Sequence, residues 1–156
     1  MRRTKGFSLI ELLIVVAIIL IIAAIAVPSF LYSRLAANES SAVASIRTIN
    51  TAMVSYNSSY PTAGFAANLT VLAGTCTGST VPTSTSACLI DSALASGTKS
   101  GYNFTATGTS DGYMAYGNPV NPGNTGVRSF CSVQDAVIRV STTALTTCDG
   151  TVTPQQ

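Results

Sequence analysis

The chain contains no histidine and no tryptophan, and charged residues make up only 9% of its 156 positions. Without an imidazole no Ser-His-Asp triad can form, however plentiful serine and aspartate are. The four cysteines are widely spaced and have no histidine to join them, which argues against a zinc site. No phosphate-binding loop, no pair of catalytic carboxylates and no cofactor fingerprint occurs. These absences predict a protein that is not an enzyme and that uses no cofactor or metal. Positive charge is scarce as well. The formal charge is +2, and setting aside Arg2, Arg3 and Lys5 takes the side-chain balance to −1. No basic stripe remains, so no nucleic-acid partner is predicted from charge.

What the chain does have is one long apolar run. From Phe7 to Val27 every residue is apolar except Ser8 and Glu11, and Pro28 follows. As a helix rising about 1.5 Å per residue, this run is roughly 30 Å long, enough to cross the hydrocarbon core of a bilayer. Arg2, Arg3 and Lys5 precede it and would hold that end on the cytoplasmic side. Three roles are compatible with such a segment. A secretory signal peptide fits the basic start and the small residues Ala24-Ile25-Ala26, but the run is long and Glu11 interrupts it. A permanent anchor explains length and charge and gives Glu11 no task. A helix that leaves lipid to become the core of an assembly gives Glu11 a cationic partner, and an intramembrane carboxylate is costly enough to imply a function.

The residues Lys5-Gly6-Phe7-Ser8-Leu9-Ile10-Glu11, the apolar continuation to Leu20 and beyond, and Pro28 resemble the N-terminus of a type IV pilin precursor, type IVa-like or a closely related pseudopilin. The resemblance covers roughly the first third of the chain. It implies a leader over 1–6, cleavage between Gly6 and Phe7 by a prepilin peptidase, and methylation of the new Phe7 amine. It further implies an inner-membrane precursor with a cytoplasmic N-terminus. Mature copies would then be handled by a pilus assembly machinery and polymerise into an extracellular surface filament serving adhesion, motility or DNA uptake. A pseudopilin of a type II secretion system and a minor pilin share the motif. A tethered binding domain that never polymerises is the alternative from another class. Cleavage would remove the three basic residues and leave an ammonium on Phe7. Glu11 of a neighbouring copy could neutralise it, which would fix the axial register of the packed helices.

The remaining chain predicts an α+β layout. Residues 7–27 form the membrane and filament-core helix, with Pro28 expected to kink or locally open it near Ala24–Val27. Residues 28–59 form an amphipathic helix. Its stripe runs through Leu35, Ala42, Ile46, Ile49, Met53, Tyr56 and Tyr60, with Arg34, Asn38, Glu39, Ser45 and Arg47 away from it. Tyr60-Pro61 ends that helix, because a residue before proline avoids the helical region. Residues 60–156 form the head, with a connecting loop and an antiparallel sheet of three or four strands. Tyr102, Phe104 and Ala106 alternate with polar residues as a half-buried strand. Strands over Tyr113–Tyr116, Val127–Ser132 and Ala136–Ser141 follow. One face of this sheet should lie on the amphipathic helix while the other stays wet.

Four cysteines in an exported chain imply two disulfides and permit three pairings. Sequence proximity favours Cys76–Cys88, closing a Ser/Thr-rich loop, and Cys131–Cys148, pinning the C-terminal tail to the sheet. The second matches the pilin surface loop by resemblance, whereas the first departs from it. The hydroxyls of Thr77–Ser86 and several Asn-X-Ser/Thr tripeptides, Asn103-Phe104-Thr105 among them, are weak candidates for glycosylation.

Overall fold

A computed structural model describes residues 7–74, 81–149 and 152–155. Helix α1 spans Leu9–Ser59 and contains Pro28. The chain divides into two units, the first ending at Arg34 and the second running from Leu35. In the first, nearly every described residue is exposed, from Phe7 through the apolar run to Tyr32. The helix is long and apolar enough in this part to cross a membrane. Ala24–Val27 and Pro28 all lie within the helix, where Pro28 has no N–H to offer the preceding turn.

In the second unit α1 becomes one-sided. Ala42, Ile46, Ile49, Met53 and Tyr56 are buried, and they meet Leu69, Leu72, Tyr102, Phe104, Ala106, Ala115 and Phe130 in a single core. The helix ends at Ser59, where Tyr60 N–H still reaches the Tyr56 carbonyl at 2.8 Å before Pro61. Two short helices follow, α2 (Leu69–Leu72) and α3 (Ser92–Ala95). Each has a side-chain N-cap: Asn68 accepts from Val71 N–H at 3.0 Å and Asp91 from Leu94 N–H at 2.6 Å. Such caps satisfy donors that a helix start leaves without partners.

The sheet is an antiparallel meander in the order β1 to β6: Thr98–Lys99, Tyr102–Gly108, Tyr113–Pro119, Ser129–Val133, Arg139–Ser141 and Thr153–Pro154. Thus the layout is α+β as expected, but with six strands, two of them only a residue pair long. The strand predicted over Tyr113–Tyr116 continues to Pro119, pairing its last residue with Tyr102. The strand predicted over Ala136–Ser141 begins only at Arg139. Asp135 explains the delay. Its carboxylate accepts from Val137 N–H at 2.9 Å and pairs with Arg139, holding a turn where ladder pairing would otherwise begin.

Two expectations about faces are corrected. Glu39 and Ser45 are not on the solvent side of α1 but buried, at 8% and 4% exposure. Glu39 lies four positions after Leu35 and three before Ala42, so helical geometry puts it within the stripe. The outer face of the sheet is not simply wet. Leu145 and Cys148 pack there with Cys131, Met114, Tyr116, Val133 and Val152 as a second, smaller core.

Candidate assembly helix and its head

Phe7 precedes α1 and Glu11 lies in its first turn, and both are exposed. The described chain is the uncut form, in which Phe7 N is an amide and carries no charge. The predicted Phe7–Glu11 charge pair therefore has no cation to form around within this chain. Gly6, the residue before the predicted cut, lies outside the described residues. Pro28, the predicted kink, sits inside α1 as described above.

The head is joined to α1 by polar contacts as well as by the core. Glu39 Oε1 accepts from Val127 N–H at 2.9 Å and Arg128 N–H at 3.0 Å. Its Oε2 accepts from the Arg128 guanidinium, at 2.8 Å from Nε and 2.7 Å from the terminal nitrogen. One residue earlier, the Asn38 amide donates to the Thr125 carbonyl at 2.9 Å. Together these side chains bind the loop between β3 and β4 to the helix. Burial by itself raises the Glu39 pKa. Hydrogen bonds from Val127 N–H, the Arg128 side chain and Arg128 N–H, with the guanidinium charge, outweigh it and hold the carboxyl below its ordinary value. The Tyr102 hydroxyl donates to the Arg128 carbonyl at 2.7 Å. Burial first, and then the nearby Glu39 charge, push that phenol well above the usual range, with Arg128 opposing. Deeper in the helix–sheet seam, the Asn50 amide donates to the Ser132 hydroxyl at 2.9 Å.

The Cys131–Cys148 disulfide is present, with the two Cα atoms 5.9 Å apart. Cys88 is disulfide-bonded as well. Its predicted partner, Cys76, lies outside the described residues, so that pairing remains an expectation. The glycosylation candidates Asn103 and Thr105 are exposed on β2. Among the described residues no group of three His, Cys, Asp or Glu side chains is placed to hold a metal.

Two contacts have no counterpart among the sequence-based expectations: the Glu39–Arg128 clamp, and the Asn118 side chain, which donates to the Leu145 carbonyl and accepts from the Leu145 N–H. The first had a signal, since a charged residue stood at a stripe position. The second had a fainter one: Leu145 is a large apolar residue in a tail otherwise dominated by Thr and other polar side chains.

Fold and site together define a class. This is an α+β head on a long helix whose N-terminal part is apolar, exposed, and long enough to cross a membrane. The comparisons narrow that class. The model of the prokaryotic N-terminal methylation motif matches residues 1–27. The chain is 59% identical over 39 residues to the type IV wide pilus major component PilA4 of Thermus thermophilus, covering 25% of this chain and 30% of that protein. It is 46% identical over 54 residues to the type IV major pilin protein PilA of Myxococcus xanthus, covering 35% of this chain and 24% of that one. The aligned stretch thus spans less than a third of these relatives. No solved structure matches. The N-terminal segment of this chain carries the prokaryotic N-terminal methylation motif and is similar to the corresponding part of these pilins.

Proposed function

We propose that the chain is a structural subunit of a type IV pilus. The observation that carries this is the methylation motif over residues 1–27, set at the head of an apolar helix whose described side chains are almost all exposed in their own unit. Once out of the membrane, about twenty such residues would expose a large apolar area to water, at roughly 25 cal/mol per Å², unless they packed against copies of the same helix. The matched relatives are named as major pilus components, which supports a structural and non-catalytic role.

In this account the precursor sits in the inner membrane with Met1 inside. A prepilin peptidase cuts after Gly6, and the freed Phe7 amine is methylated but keeps its charge. The amine and Glu11 are then oppositely charged groups in an apolar setting. A copy whose helix slips by one turn leaves both without partners, and removing one member of a buried pair costs about 3–5 kcal/mol. Glu11 therefore selects register as copies join. Pro28 supplies no N–H and gives the helix a place to loosen near Ala24–Val27 when neighbours crowd it.

Electron microscopy of filaments sheared from cells, with mass spectrometry of their dominant protein, tests the proposal. The expected result is this chain beginning at N-methyl-Phe7. A product beginning at Met1, or one beginning near Val27 and absent from filaments, overturns it.

A further inference from the structure

The C-terminal tail is held on β3 by side-chain hydrogen bonds as well as by its disulfide. The Asn118 side chain donates to the Leu145 carbonyl at 2.8 Å and accepts from the Leu145 N–H at 2.8 Å. One carboxamide thus satisfies both backbone groups of one tail residue, as a neighbouring strand would. Four positions away on the same face of β3, Met114 sulfur accepts from Cys148 N–H at 3.0 Å. Since 118 meets 145 and 114 meets 148, the tail crosses β3 antiparallel to it. Tyr116 lies between these two anchors and is paired in register with Cys131 on β4. The grip therefore delivers Cys148 to the strand next to its partner, while Leu145 becomes buried beneath it.

We infer that Asn118 is a positioning residue for oxidative folding: it docks the tail before the disulfide exists and so selects Cys131–Cys148 over the other pairings. The inference does not depend on the filament proposal. Loop length alone selects weakly. Cys131 and Cys148 are 17 positions apart. Closing the loop from Cys88 to Cys131, roughly two and a half times longer, is disfavoured only about fourfold by chain entropy. Docking adds to this by raising the effective concentration of one thiol at the other. The chemistry is ordinary exchange with an external disulfide. One cysteine thiolate attacks it and releases a first thiol, leaving a mixed disulfide. The second cysteine, also losing its proton, attacks the protein sulfur of that bond and releases a second thiol.

The test refolds the full chain, reduced and denatured, in detergent micelles with reduced and oxidised glutathione. Disulfide-linked peptides are quantified by mass spectrometry over time. The control is Gly117→Ala, which perturbs the opposite face of β3, at a denaturant concentration chosen to match its stability to that of Asn118→Ala. Asn118→Ala is expected to lower the early yield of Cys131–Cys148 several-fold relative to both wild type and control, with mispaired species rising. Equal pairing in Asn118→Ala and control overturns the inference, because loss of stability alone would then account for it. If Asn118→Ala does not fold, the Cys131→Ser/Cys148→Ser chain decides. Backbone amide hydrogens at positions 145 and 148 protected from exchange in that chain support a dock that precedes the bond. Exchange there as fast as in an unfolded tail refutes it.

Discussion

Glu39 and Arg128, 89 positions apart, are joined by the Glu39 carboxylate accepting from both the backbone N–H and the guanidinium of Arg128. The carboxylate side chain is 11% exposed and the guanidinium side chain 47%. The pair is therefore asymmetric: breaking it rehydrates the arginine easily, while the backbone N–H groups of Val127 and Arg128 lose their acceptor. Glu39→Ala is expected to cost roughly 1.5–3 kcal/mol, the range for hydrogen bonds to a charged group. Denaturant unfolding of the full chain in micelles measures it. The double variant Glu39→Ala/Arg128→Ala should cost little more than Glu39→Ala alone, since the two side chains share one interaction.

The same pair sets a pH dependence. Glu39 has a folded pKa below its ordinary value of 4.5. The unfolded chain therefore binds the proton first as pH falls. The stabilisation is complete above about 4.5 and is lost as pH drops through the lower folded value. Asp91, lowered chiefly by the Lys99 hydrogen bond, and Asp135, lowered chiefly by the Arg139 hydrogen bond, act in the same direction from exposed positions. Urea midpoints at pH 7, 5 and 3 should fall mainly across the last interval, and Glu39→Ala should flatten that fall.

Gly117 faces Phe104 across the β2–β3 ladder. A Cβ added at Gly117 would stand 2.8 Å from Phe104 Cε1 and 2.9 Å from Cδ1. Phe104 is itself buried in the main core, so the ring has little room to yield. Gly117→Ala should destabilise the chain by about 1–3 kcal/mol through overpacking, read as a lowered unfolding midpoint with unchanged denaturant slope.

Removing the Cys131–Cys148 bridge frees a loop of 17-residue separation. The chain-entropy model assigns such a loop about 3 kcal/mol. Cys131→Ala/Cys148→Ala should lose approximately that much stability in denaturant unfolding. An unchanged midpoint would refute this entropic account of the bond.

For the proposed filament, Glu11→Leu should leave membrane insertion intact, because the run only becomes more apolar. The recovered mass of sheared filaments should fall sharply. Normal filament yield from cells expressing Glu11→Leu would remove the register role from Glu11.

The division between what local sequence and what assembly of the chain decides is sharp here. Features that depend on neighbours along the chain were legible: the apolar run, the termination of α1 before Pro61, and the alternation of Tyr102, Phe104 and Ala106. Each follows from helical or strand period, or from the backbone limits of proline. The Cys131–Cys148 partnership was legible from proximity. Glu39 was misplaced because its charge was weighed above its position, four residues after Leu35 and three before Ala42.

Apolar patterning and turn chemistry in the amino-acid sequence alone determined the long helix, the sheet it supports and the motif at its start. Only the folded chain decided that a buried carboxylate would find Arg128, and that the tail would lie across β3 under Asn118. Those contacts join residues far apart in sequence. A hydrogen bond's partner depends on where the meander brings a backbone amide, and residue spacing carries no record of that.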